Sequence, residues 1–99
     1  MIVKYKNQIK IIIGNHRTAT LYDFNGYIKI RYLDEEGLVT NLFVKSDQLD
    51  KLLSFKKPKA LFNHAIKHDL GCGIYNDEYE EMFQKYCLDN NLKSVNSYF

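Results

Sequence analysis

The sequence has 99 residues, enough for one hydrophobic core but too few for two, so we expect a single domain over residues 1–99. Apolar residues make up 45% and charged residues 26%, which excludes the composition of a disordered chain. The net charge is only +2, and lysines greatly outnumber arginines, so overall charge favours neither a nucleic-acid nor a protein partner.

The sequence carries no sign of a membrane or secreted location. No apolar run approaches the roughly 20 residues of a membrane-spanning helix, and the first ten residues do not resemble a secretion signal. The two cysteines, Cys72 and Cys87, lack the dense spacing of a secreted disulfide scaffold. We therefore expect a soluble protein of the reducing cytoplasm.

Residues 1–45 are expected to be β-rich. Residues 2–6 and 8–13 alternate apolar with polar side chains, which predicts either two strands around Asn7 or one long bent strand. Next, Asn25 and Gly26 predict a tight hairpin, because this pair supplies the two positive φ angles of a type I′ turn. In that register Phe24 lies opposite Tyr27, and Tyr22 lies opposite Lys29.

The hairpin register divides the side chains between two faces of the sheet. The apolar face, which we expect to be the core, contains Ala19, Leu21, Ile28, Ile30 and Tyr32. The other, which we call the hairpin face, contains Tyr22, Phe24, Tyr27, Lys29 and Arg31. Gly37 predicts a second turn with a bulge, which would place Thr40, Leu42 and Val44 beside the core residues. The first half thus predicts an antiparallel meander of four to five strands.

Residues 46–91 predict two to three short amphipathic helices, which makes the fold class α+β. Ser46 or Asp47 is expected to cap a first helix that ends at Phe55. Pro58 suits the first position of a second helix, which is expected to end near Gly71. Its apolar stripe contains Leu61, Phe62, Ala65 and Ile66.

The third helix has the strongest helical pattern. Asn76 is expected to cap it, and Asn90 and Asn91 mark its end, leaving residues 92–99 as a tail. Its apolar stripe contains Tyr79, Met82, Phe83, Tyr86 and Cys87.

The hairpin face is a candidate binding surface. Its aromatic rings alternate with cations, an arrangement on which unpaired bases stack while phosphates meet positive charge. The alternative is that the helices pack on this face, or that Tyr22 and Lys29 form an ordinary cross-strand pair.

A second candidate surface is acidic. Its residues are Asp77, Glu78, Glu80 and Glu81, at the start of the third helix. These carboxylates could imitate phosphates toward a basic groove on a partner protein. The alternative is that they complement the positive end of the helix dipole on a solvated face.

Two possible chemical sites in the sequence each lack a feature that their chemistry requires. The helical spacing of His64 and His68, together with Cys72 and Cys87, offers ligand types that suit zinc, but the paired short spacing of structural zinc sites is lacking. Cys72 beside His68 could form a nucleophilic thiolate, yet no third orienting residue is evident. We therefore predict no metal, no cofactor and no enzymatic activity.

The composition also bears on biological context. Residues with A/T-rich codons (Phe, Tyr, Met, Ile, Asn, Lys) number 46, whereas Gly, Ala, Arg and Pro number 11. Short A/T-rich reading frames without enzyme motifs are common in phages and other mobile elements. We expect a small phage or mobile-element binding module that inhibits or modulates host nucleic-acid or defence machinery through protein contacts, in the manner of an anti-CRISPR inhibitor. A host protein or nucleoprotein complex is the expected partner. The sequence is also compatible with a homodimer. The alternative is a nucleic-acid-binding accessory protein that uses the hairpin face.

Overall fold

The computed structural model describes residues 8–14, 17–70 and 75–90. Its strands are β1 (Gln8–Gly14), β2 (Arg17–Phe24), β3 (Tyr27–Leu33) and β4 (Val39–Lys45). A 3-10 turn (Ser46–Gln48) then leads to the helices α1 (Leu49–Ser54), α2 (Pro58–Lys67) and α3 (Tyr75–Asp89). The strands pair antiparallel in the order β1-β2-β3-β4, so an α+β fold with the sheet before the helices is confirmed. The described strands match the lower of the expected numbers, and the strand proposed for residues 2–6 lies outside the described residues.

The predicted hairpin joins β2 and β3. Asn25 and Gly26 have φ angles of 45° and 82°, both positive, as the turn requires. Tyr22 pairs with Lys29, and Phe24 pairs with Tyr27, which confirms the predicted register. This register places the two faces as expected from the sequence.

The second turn also follows the prediction. Gly37 has a φ of 88°, and its N–H donates to the carbonyl oxygen of Asp34 at 3.1 Å. The Asp34 carboxylate accepts hydrogen bonds from the backbone N–H groups of Glu36 and Leu38, which holds the turn. Leu42 consequently lies opposite Ile30, as the bulged register predicts.

Helices α1 and α2 pack on the apolar face of the sheet. From α2, Leu61 and Ala65 are fully buried and Phe62 is half-buried, whereas Ile66 lies at the edge of the stripe and is 51% exposed. Leu52 is the buried residue of α1. The buried core that they complete contains Ala19, Leu21, Ile28, Ile30, Tyr32, Leu42 and Val44.

Helix α3 packs on the opposite side, against the hairpin face. Phe83 and Cys87 are fully buried there, and they form a second core cluster with Tyr22, Phe24 and Phe43. The sheet therefore lies between an α1–α2 layer and an α3 layer. Among the helices in the described ranges, none has the length and apolar content that crossing a bilayer demands.

Three expected helix boundaries are wrong. Neither Ser46 nor Asp47 caps α1 with its side chain, because the chain leaves β4 through a 3-10 turn in which Leu49 N–H bonds the carbonyl oxygen of Ser46. Helix α3 begins at Tyr75, so Asn76 lies in its first turn rather than before it.

The third wrong boundary is the end of α2, which stops at Lys67 and not near Gly71. It stops early because the following residues bind the open edge of β4. Leu70 N–H donates to the Phe43 carbonyl oxygen at 2.7 Å, and the Asp69 carboxylate accepts from Phe43 N–H at 3.2 Å. The edge of β4 is thereby closed at Phe43. The C-terminal boundaries at Phe55 for α1 and after Asp89 for α3 agree with the predictions.

Candidate functional site

The hairpin face, predicted as a possible open binding platform, is covered by α3. Tyr22, Phe24 and Lys29 are at most 4% exposed, Arg31 is 8% exposed, and Tyr27 is half-buried. The aromatic rings of this face meet α3 directly, with ring centroids of Phe24 and Phe83 5.2 Å apart. The structure thus agrees with the alternative expectation that a helix packs on this face. The hairpin-face residues therefore do not form an exposed stacking platform.

Lys29 is the most unusual residue of this buried layer, because its side chain has no solvent exposure. Its ammonium nitrogen donates to Glu80 Oε1 at 2.7 Å. It also lies 4.5 Å from the ring centroid of Phe83 and 5.9 Å from that of Phe43, so aromatic faces replace part of the lost hydration. Burial lowers the pKa of Lys29, and the Glu80 carboxylate opposes that shift by favouring the charged form.

Glu80 differs from the other three acids predicted to share its surface. Its side chain is 29% exposed and turned toward the sheet, where Oε1 also accepts a hydrogen bond from Gln84 Nε2 at 3.2 Å. By contrast, Asp77, Glu78 and Glu81 are exposed. The predicted acidic set therefore divides into one carboxylate that docks α3 and three that face solvent.

The exposed side of α3 forms one stripe. Asp77, Glu81, Lys85 and Leu88 recur at intervals of three or four residues, so they lie along the same side of the helix. A shallow groove runs along this stripe beside Glu80 and Gln84. Leu88 is 79% exposed, an apolar side chain near the carboxyl end of the helix, away from Asp77 and Glu81.

Of the four residues considered as zinc ligands, the structure brings His64 and His68 together, with ring centroids 4.6 Å apart, but does not bring Cys87 to them. His64 is on α2, on one side of the sheet, whereas Cys87 is buried under α3 on the other. Cys72 lies outside the described residues, as does its proposed role as a nucleophile. Within residues 17–70 and 77–90, no group of three histidine, cysteine, aspartate or glutamate side chains is arranged to hold a metal ion.

Cys87 is also unsuited to thiolate chemistry. Burial raises the pKa of its thiol, and the nearby Lys29 ammonium offsets this only in part. Burial likewise raises the pKa of the Tyr22 hydroxyl, with Arg31 opposing the shift. Both groups therefore stay protonated at neutral pH and act as packing residues.

The α1–α2 layer carries a cluster of aromatic rings and cations that was not among the surfaces predicted from the sequence. Lys51 Nζ lies 5.5 Å from the Phe55 ring centroid, and Lys59 Nζ lies 5.3 Å from that of Phe62. The spacings of four and three residues place each lysine beside its ring on a helical turn. These spacings are the feature of the sequence from which the lysine–ring pairs could have been predicted.

His64 lies within the same layer. Its Nε2 is 2.9 Å from Gln48 Oε1, and its ring centroid is 4.6 Å from that of His68. Partial burial lowers the pKa of His64, and the positive charges of His68, Lys51 and Lys67 lower it further. His64 is thus held neutral in a basic environment.

The two helical layers differ in charge. Helix α3 contains five acidic residues and one lysine, whereas α1, α2 and their connection contain five lysines and one acid, Asp50. Comparisons of the chain with protein-family models, with curated proteins and with solved structures found no match. The two oppositely charged surfaces are therefore interpreted from their geometry.

Proposed function

We propose that the chain is a non-enzymatic binding module that contacts a protein partner through the exposed side of α3. The observation that carries this proposal is the division of the acidic set. Glu80 and the aromatic residues of α3 dock the helix on the sheet, and Asp77, Glu78 and Glu81 are left exposed on a fixed backbone. A rigid acidic surface with an exposed leucine, Leu88, suits a basic protein surface with an apolar contact point.

The acidic charge also argues for the class of partner. Carboxylates repel phosphates, so this surface favours proteins over nucleic acids. A basic groove that normally binds nucleic acid would complement the exposed acidic side of α3 in shape and in charge. Together with the abundance of residue types that have A/T-rich codons and the small size, this supports a phage or mobile-element protein that inhibits or modulates host nucleic-acid or defence machinery.

Burial of the hairpin face weakens the alternative function. A nucleic-acid accessory protein that stacks bases on Tyr22, Phe24 and Tyr27 would have to displace α3 first. That displacement would expose the second core cluster and leave the Lys29 ammonium without Glu80. We therefore place the protein-binding function on the exposed side of α3.

The test is affinity capture from a lysate of a bacterium with an A/T-rich genome, with and without nuclease. Titration calorimetry with the purified captured protein follows. The informative variant is Glu78→Lys with Glu81→Lys. The matched control is Asp47→Lys with Asp50→Lys, which makes the same charge change at exposed residues beside the other layer.

We expect nuclease-resistant capture, and at least tenfold weaker binding of the purified partner by the α3 variant but not by the control. The proposal is wrong if nuclease abolishes capture, or if both variants bind the purified partner as the unmodified protein does.

A further inference from the structure

The α1–α2 layer has a surface of its own that the α3 proposal does not use. From residue 51 to residue 68 the sequence contains no aspartate or glutamate. Its five lysines are all exposed: Lys51, Lys56, Lys57, Lys59 and Lys67. The local charge is thus +5, whereas the whole chain has a net charge of only +2. Positive charge is concentrated on one layer of the protein.

Three acids flank this stretch of sequence, and none lies within it. Asp69 directs a carboxylate oxygen to the edge of β4, where it accepts the hydrogen bond from Phe43 N–H. Asp47 and Asp50 precede the basic stretch, at the start of α1. Both acids lie near the amino end of α1. The α1–α2 connection, which contains Lys56 and Lys57, therefore has no acid close to it in the sequence.

Aromatic rings are held among these cations. Phe62 is stacked on Tyr32 with ring centroids 4.1 Å apart and planes 15° from parallel, and Phe55 lies 5.4 Å from the His64 ring. Both phenylalanines are half-buried and packed against the core, so their orientation is fixed before any ligand binds. Fixed rings lose little conformational entropy when a planar group stacks on them.

We propose that the α1–α2 surface binds single-stranded nucleic acid, with lysines contacting phosphates and bases stacking at Phe55 and Phe62. Single strands fit this surface because they combine repeated negative charge with exposed planar bases. An acidic peptide or an anionic membrane would contact the lysines but would supply no series of planar groups to stack on the fixed rings. A protein that carries both surfaces would engage the protein and the nucleic acid of one nucleoprotein complex from opposite layers.

The first test needs no variant, because phosphate binding releases counterions. If five lysines each neutralise one phosphate, the logarithm of affinity should fall with the logarithm of salt concentration with a slope of about −3.5 for a single strand. Affinity for a labelled oligonucleotide of about 20 nucleotides should then drop roughly 100-fold between about 50 and about 200 mM salt. Fluorescence anisotropy measures this directly.

Charge-reversal variants locate the surface. Lys51→Glu with Lys59→Glu removes both ring-associated cations, and Lys45→Glu with Lys85→Glu is the matched control at exposed lysines elsewhere. We expect at least a tenfold greater loss of oligonucleotide affinity for the first variant. Circular dichroism melting checks that both variants are folded.

Competition distinguishes the ligand classes. Unlabelled single strand should displace the probe at lower concentration than a duplex of equal length, poly-glutamate or vesicles with anionic lipid. Equal displacement by any of these, no binding at low salt, a flat salt dependence, or equal losses in both variants would overturn the proposal. Glu78→Lys with Glu81→Lys should not weaken oligonucleotide binding, so this result is independent of the α3 proposal.

Discussion

The ion pair between Lys29 and Glu80 should determine how firmly α3 is held on the sheet. Glu80→Gln keeps the side-chain length and one acceptor oxygen, but leaves a fully buried ammonium without a carboxylate. Removing one partner of a buried ion pair costs about 3–5 kcal/mol. The acceptor that remains, and the partial exposure of Glu80, reduce the expected loss of unfolding free energy to about 2–3 kcal/mol.

The assay is urea unfolding followed by circular dichroism, with Glu81→Gln as the control. Glu81 is the exposed neighbour, so its variant should stay within about 0.5 kcal/mol of the unmodified protein. Adding Lys29→Met to Glu80→Gln should recover most of the loss, because an uncharged side chain of similar length then fills the aromatic site between Phe43 and Phe83. A Glu80→Gln variant as stable as the Glu81→Gln control would refute this reasoning.

Three further predictions concern the turn, the basic layer and the second core. Gly26→Val should cost about 1–2 kcal/mol, measured as a lower melting temperature, because a β-branched residue is strained at a φ of 82° while the space around Gly26 is open. The lowered pKa of His64 means that the unfolded chain binds its proton more tightly, so stability should fall as pH drops through 6.5 toward the folded pKa. Urea unfolding at a series of pH values should show a smaller fall for His64→Asn. In a Cys72→Ser background, the buried thiol of Cys87 should react with a thiol reagent at about pH 8 only at the rate of unfolding, and rapid reaction of the folded protein would contradict its burial.

Local signals in the sequence predicted most of the sheet. The pair Asn25 and Gly26 specifically favours a type I′ turn, because both residues tolerate the positive φ angles of that turn. Once the turn is placed, the alternation of the strands fixes every pair from Thr18 to Leu33. The apolar stripes of α2 and α3 likewise identified Leu61, Ala65, Phe83 and Cys87, all of which are buried.

The partner of the hairpin face could not be read from the sequence, because its mixed polarity fits both a solvent-exposed surface and a buried one. Lys29 can be buried only because Glu80, 51 residues away, supplies the compensating charge, and no local pattern reveals a pairing at that distance. The same pairing explains why four neighbouring acids, which look equivalent in sequence, have two different roles.

The helix boundaries failed for a related reason. Ser46, Asp47 and Asn76 were expected to cap helices because their side chains commonly do so. The chain instead enters α1 through a 3-10 turn, and α3 begins at Tyr75, two residues before the start that a cap at Asn76 predicts. The early end of α2 depends on Leu70 bonding to Phe43 across the sheet edge, which is a tertiary contact.

The position of α3 over the hairpin face underlies the proposed protein-binding surface, and lysine acylation read by mass spectrometry tests it most directly. Lys29 is fully buried, whereas Lys45 and Lys85 are exposed and provide internal references in the same molecule. A water-soluble acylating reagent applied to the folded protein should modify both reference lysines while Lys29 stays unmodified until urea unfolds the chain. Modification of Lys29 at the rate of Lys45 in the folded protein would contradict the account, because the hairpin face would then be open to solvent.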